Sequence, residues 1–175
     1  KMQEAMQEMD PEKMLEAMEN MDFNIEEMEQ QLDRFIDMFK MALAEQKMDE
    51  IQKQLEQMLK EQADILQDLN KEGSKAEDLA AKEKRQEEEL NNLDDLMKEA
   101  EKMIQDLSSK TSESIDELRN SETMKNTDQN LKSAQQQFAK GQKEEGGKNA
   151  ESANKNMEEL QNKFAQIQQE FQEQM

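Results

Sequence analysis

The sequence lacks cysteine, histidine, tryptophan, tyrosine and valine, and it contains one proline and four glycines in 175 residues. Without histidine and cysteine it cannot build the Cys/His or Ser/His arrangements of nucleophilic catalysis, or a usual zinc site. Disulfides are excluded for the same reason. The scarcity of β-branched and aromatic residues, together with the single proline, disfavours strands and favours long helices.

Positive charge is also scarce, because 23 basic residues stand against 43 acidic ones and leave a net charge of −20. No basic block is present, so a nucleic acid partner is not expected and anionic membrane surfaces are disfavoured. The sequence shows no signal peptide and no membrane-spanning run. It starts at Lys1 in the middle of a helical pattern, so we expect a fragment of a larger protein. Any membrane attachment would come through segments outside this fragment.

Apolar residues recur at helical spacing over most of the chain. Residues 23–119 predict a long antiparallel helical hairpin that turns at Gly73, a residue suited to the position after a helix end. Asn24 and Ser74 are the predicted N-caps of its two helices, each with a glutamate three residues later. Pairs such as Leu55 with Leu93 and Ile51 with Met97 are expected to face each other across the hairpin.

A second, shorter hairpin is predicted over residues 120–175, with its turn at 141–148, where three glycines fall. The segment from Ala150 to Phe171 carries apolar residues alternately three and four apart, as in a heptad repeat. The predicted fold class is therefore all-α, with elongated antiparallel helical hairpins in a coiled-coil-like bundle. We expect one continuous elongated domain, and leave open whether the second hairpin packs on the first or on another chain.

Methionine is abundant, with 16 residues, and it is concentrated in the first third of the chain. Residues 1–22 predict two short Met-rich helices, the second starting at Pro11. Methionine fills irregular helical cores and also lines adaptable binding surfaces, and thioethers can bind Cu(I). We favour core filling, with a partner surface second and copper a distant third. The candidate partner surface comprises Met2, Met6, Met9, Met14, Met18 and Phe23.

No constellation of catalytic or cofactor-binding residues is found. The carboxylates fall on helix faces that are expected to be solvated, and the glycines lack a phosphate-loop context. Residues 68–79 begin like a calcium-binding loop, with Asp68, Asn70 and Glu72 at ligand spacing. The position that requires a bidentate glutamate is Leu79, so the match fails. We predict no catalytic residue, no metal site and no cofactor.

Two stretches resemble a large uncharacterised family of bacterial proteins with N-terminal membrane helices and long Gln/Glu-rich helical regions, seen notably in Bacteroidetes-like genomes. They are "MDPEKMLEAMENMDFNIEEMEQQLDRFIDMFKMALAEQKMDEI" (9–51) and "SAQQQFAKGQKEEGGKNAESANKNMEELQNKF" (133–164). The resemblance implies an all-helical fold and a location in the bacterial periplasm or cell envelope. It implies no activity and no catalytic residues.

These observations favour a non-enzymatic scaffold or protein-interaction module of a larger cell-envelope protein, which binds a protein partner or self-associates through its helices. An alternative is a Met/Phe-lined surface that holds a helix, a peptide or an unfolded chain, as a holdase does. Cu(I) binding through methionine is the third possibility.

Overall fold

The computed structural model describes residues 11–174 and, among them, the side chains of residues 25–174. Residues 11–174 form five α-helices: α1 (Pro11–Leu69), α2 (Ala76–Ile104), α3 (Ser109–Arg119), α4 (Glu122–Ala139) and α5 (Lys143–Gln174). No strand occurs in residues 11–174. The predicted all-α class is confirmed. The chain divides into two compact units, the first ending at Lys40 and the second beginning at Met41.

The second unit is a bundle of antiparallel helices. Gln54 and Gln62 of α1 bond to Glu89 and Glu83 of α2, so residue numbers rise on one helix as they fall on the other. The same holds for α3 and α5, where Ser108, the N-cap of α3, donates to Gln174 and Lys110 pairs with Glu170. Helices α3 and α4 run one after the other alongside α2 and α5. The bundle is therefore up-down-up-down, with α3 and α4 sharing its third position.

The bundle core is formed by the apolar helix faces that the sequence spacing predicts. Its largest cluster joins residues from all five helices, and a smaller cluster lies toward the turn after α1. Methionine contributes as a filler of this core, because Met48, Met58, Met97 and Met157 are at most 1% exposed. Phe138, Phe164 and Phe171 are also buried in the core.

The sequence predicted a helix that ends near residue 22 and a second helix that begins after Asn24, whereas the structure has the single helix α1 there. It continues without a break through Asn24, which therefore is not an N-cap. No glycine or proline lies between Pro11 and Gly73. An N-cap contributes only about 1 kcal/mol, and nothing else in this stretch favours ending a helix. The predicted boundary between 1–22 and 23–119 thus falls inside a helix.

The return helix of the predicted hairpin is broken in two. Helix α2 ends at Ile104, and α3 begins after Ser108, whose hydroxyl accepts a hydrogen bond from the Thr111 amide. The serine and threonine residues at 108–114 favour a cap here because their side chains compete for backbone groups. Ser74 is not the N-cap of α2; that position is taken by Lys75, which makes no side-chain cap bond.

The turn of the second hairpin is shorter than predicted. It occupies residues 140–142, with Gly141 at φ +76°, and residues 143–148 form the start of α5. Gly146 and Gly147 lie within this helix. Because they have no side chains, residues of neighbouring helices can pack closely against them. A Cβ on Gly146 would lie 2.5 Å from the Phe138 ring, and one on Gly147 would lie 2.6 Å from Leu69.

Candidate functional site

The main candidate site is a row of large apolar side chains in the first unit, on the α1 residues that precede Met41. These side chains are 44–69% exposed to solvent, although buried residues of the same types form the bundle core. We call this row the apolar seam; it consists of Ile25, Met28, Leu32, Phe35, Ile36, Met38 and Phe39. Scattered exposed leucines are ordinary, but a contiguous apolar row is typical of an interaction surface.

The apolar seam has the spacing of a heptad repeat. Ile25, Leu32 and Phe39 occupy a positions, and Met28 and Phe35 occupy d positions. A shallow concave surface here is lined by the a and d residues Ile25, Met28, Leu32 and Phe35, with Glu29 at e and Gln31 at g. In a coiled coil these four positions form the surface that meets a neighbouring helix.

The two halves of the apolar seam differ in width. In the second heptad the e and g positions are also apolar, since Ile36 and Met38 flank Phe35 and Phe39. A stripe that extends beyond a and d is characteristic of a helix facing a bundle core. The same face also contains an eleven-residue repeat, in which Ile36 follows Ile25 and Phe39 follows Met28.

An acidic edge runs beside the apolar seam. It consists of Glu26, Glu29, Asp33 and Asp37, at intervals of three, four and four residues, and all four are exposed. This spacing keeps them on one side of the helix, with Glu29 at an e position, Glu26 and Asp33 at the neighbouring b positions, and Asp37 at an f position farther from the seam. Residues 25–40 contain two basic side chains: Arg34 is at a c position away from this edge, and Lys40 is at a b position at its end.

The candidate partner surface predicted from methionine lies mostly outside the described residues. Met2, Met6 and Met9 precede residue 11. Met14, Met18 and Phe23 lie in α1, but their side chains are not among those described. Among described methionines, Met28 and Met38 are exposed in the apolar seam. Apolar spacing alone did not reveal the seam as a surface, because residues 23–119 were predicted to pair with each other in one long hairpin.

A second candidate is a polar layer inside the bundle. Glu83 and Gln62 are 0% exposed and Gln86 is 1% exposed. The Gln62 amide donates to Glu83 Oε1 at 2.9 Å and to the Ala150 carbonyl at 3.3 Å, and the Gln86 amide donates to Glu61 at 3.0 Å. Gln62 Oε1, Glu83 Oε2 and Gln86 Oε1 lack a hydrogen-bond partner among the described residues. The layer therefore holds more acceptors than donors.

Burial raises the pKa of Glu83 to about 7, and the hydrogen bond from Gln62 opposes this rise. A carboxyl group in an apolar interior favours its neutral form, in which it gains a hydrogen-bond donor. Such a perturbed acid can mark a functional site. Here its hydrogen-bond partner is the Gln62 amide, and the second acid of the layer, Glu61, bonds to Gln86 and not to Glu83, so we interpret Glu83 as a structural group.

The turn between α1 and α2, where the sequence only partly resembles a calcium loop, is held by ion pairs. Asp68 Oδ1 lies 2.6 Å from Lys71 Nζ, and Asp68 Oδ2 pairs with Lys82. The hydrogen bonds from Lys71 and Lys82 lower the pKa of Asp68 to about 2. Among the side chains of residues 25–174, no group of three or more acidic residues converges as a metal site would require.

No helix in the described part of the chain combines the length and hydrophobicity needed to cross a bilayer. No protein-family model, curated protein or solved structure matches the chain. The fold defines the protein as an all-α helical bundle. The apolar seam is its main candidate interaction surface.

Proposed function

We propose that this chain is a non-enzymatic protein-interaction module that docks a partner helix on the apolar seam. The observation that carries the proposal is the exposure of seven large apolar side chains at heptad spacing on one helix. Burial of each against a partner would contribute on the order of 1–2 kcal/mol. A neighbouring helix is the natural occupant, because the a, d, e and g positions together form a helix-binding face.

An unfolded chain is the competing occupant, since holdases also present apolar surfaces. The regular three-and-four spacing favours a helix, because knobs from a partner helix fit the spaces between Ile25, Met28, Leu32 and Phe35. An extended segment has a two-residue side-chain period, which does not match this spacing.

Binding of a neutral probe to the full chain tests the proposal. The probe is a synthetic helical peptide with leucine at a and d and glutamine at e and g. Phe35→Glu should weaken its binding at least about tenfold, because a charge is then placed in the centre of the interface. The matched control is Gln30→Glu, which adds the same charge at an f position and should leave binding unchanged.

Thermal unfolding accompanies this titration. Phe35 is 68% exposed, so Phe35→Glu should not alter the unfolding of the bundle. Equal affinity of Phe35→Glu and the unmodified chain for the neutral probe would refute helix docking on the apolar seam. Tighter binding of a reduced and alkylated polypeptide that stays unfolded would instead identify a holdase surface.

We also propose that the module belongs to a larger protein of the bacterial cell envelope. The resemblance of residues 9–51 and 133–164 to membrane-anchored bacterial proteins supports this placement. Fractionation of the source cells should recover the natural protein with the envelope. Recovery in the soluble cytoplasmic fraction would contradict the envelope location. It would leave the proposal of helix docking unaffected.

A further inference from the structure

We infer that the partner is an amphipathic helix with basic residues along its flank, and not a second copy of this chain; this inference rests on the proposed docking of a helix on the apolar seam. The geometry points to it because the acidic edge follows the seam along its length. Glu29 is at an e position, and Glu26 and Asp33 lie three residues before and four residues after it.

In helix pairs the e and g positions decide which partners are accepted. Lysine or arginine on a partner would meet the acidic edge at close range while its apolar residues filled the seam. Opposite charges speed the encounter and fix the orientation of the docked helix. The charge of the partner's opposite flank is less constrained, because that flank meets the uncharged residues Gln31 and Met38 at the g positions of the seam.

A second copy meets the opposite situation. Each copy has a net charge of −20 and brings its own acidic edge to the interface. Juxtaposed like charges disfavour an interface, and they act over long distances at low salt. Self-association through the apolar seam should therefore be weak at low ionic strength and should strengthen as salt is added.

Three probes with the same leucine seam, carrying lysine, glutamine or glutamate at e and g, test the inference on the full chain. At low ionic strength the lysine probe should bind about tenfold more tightly than the glutamine probe, because several exposed ion pairs together reach this size. The glutamate probe should bind most weakly. The differences should shrink at high salt, where the screening length falls to about 3 Å at 1 M.

A charge variant isolates the acidic edge. Glu29→Gln with Asp33→Asn should narrow the gap between the lysine and glutamate probes while leaving binding of the glutamine probe unchanged. The matched control is Asp106→Asn with Glu113→Gln, which removes two exposed carboxylates from the second unit. This control should preserve the full gap.

The outcomes separate the inference from the proposed function. Equal binding of all three probes would overturn the basic partner and leave helix docking intact. Binding of none, with the chain monomeric in sedimentation equilibrium, would overturn both. A dimer that forms at low salt and is abolished by Phe35→Glu would show that a second copy occupies the apolar seam, and would overturn the basic partner.

Discussion

At the scale of single residues, Glu83 is the least conventional feature of the bundle. It is fully buried, it accepts one hydrogen bond from Gln62, and its second oxygen has no donor among the described residues. No charged side chain of the described residues forms a hydrogen bond or an ion pair with Glu83. Glu61 on α1 accepts from Gln86, Lys132 on α4 pairs with Glu87 and Asp128, and Lys148 on α5 pairs with Glu144.

This environment predicts a pH-dependent stability. The pKa of Glu83 is raised from its usual value of 4.5 to about 7 in the folded state. Its contribution is therefore fully present below pH 4.5 and is lost as the pH rises through 7, because the unfolded chain releases the proton more readily than the folded state, in which the charge would be buried. The loss amounts to about 3 kcal/mol in free energy of unfolding.

The variant Glu83→Gln should remove that dependence. Glutamine has the same shape, carries no charge and offers a donor to a layer that is rich in acceptors, so the variant should be more stable than the unmodified chain above pH 7. The two should converge near pH 4.5. Urea unfolding across this pH range measures the difference, with Glu88→Gln on the exposed face of α2 as the control. A destabilised Glu83→Gln at pH 8 would contradict this account of the polar layer.

At the scale of elements, the closeness of α4 and α5 depends on a residue that the sequence analysis assigned to a turn. A Cβ at Gly146 would lie 2.5 Å and 2.6 Å from two atoms of the Phe138 ring, which is itself fully buried. At Gly147 the obstacle is Cδ2 of Leu69, the movable end of a flexible side chain, at 2.6 Å.

The two glycines should therefore respond differently to alanine. Gly146→Ala should destabilise the bundle by about 1–3 kcal/mol, because a rigid ring in a packed core cannot give way without repacking. Gly147→Ala should cost less, since Leu69 can rotate and alanine is favoured over glycine in a helix by roughly 0.5–1 kcal/mol. Chemical denaturation of both variants checks the order. A Gly146→Ala chain as stable as the unmodified one would show that the helices are not held by this contact.

The break after α2 is a further property of elements. Arg119 at the end of α3 reaches back to α2, where its Nε lies 3.0 Å from Asp94 and its Nη1 lies 2.6 Å from Glu101. These bonds fix α3 against α2, and Ser112 adds a hydrogen bond to the Glu101 carbonyl. The sequence pattern predicted one return helix up to residue 119 and did not show that the chain reverses direction after α2.

At the scale of the whole chain, periodicity predicted the helical class and the residues that form the bundle core. Leu79, Leu90, Leu93 and Met97 share one face of α2, and each is at most 3% exposed. What periodicity could not predict is which element covers a given face. The stretch 25–39 has the same kind of apolar spacing as the core of the bundle, yet its side chains are exposed.

An apolar stripe on a helix indicates that the stripe is buried against another element, but it does not indicate whether that element belongs to the same chain or to a partner. In the predicted hairpin over residues 23–119, the end of the return helix would lie opposite this stretch, and that end includes residues 109–119. They instead form α3, in which Ile115 and Leu118 are buried in the bundle and pack with α2 and α5. Spacing alone cannot distinguish a stripe that is covered by its own chain from one that is covered by a partner.

Hydrogen exchange of the full chain, with and without the lysine-flanked probe, tests the central claim most directly. Exposed helical amides exchange readily, and they become protected when a partner helix buries them. The account predicts new protection confined to residues 25–39, with exchange in α2, α4 and α5 unchanged. Saturating probe that leaves residues 25–39 unprotected, or that protects the bundle helices instead, would contradict it.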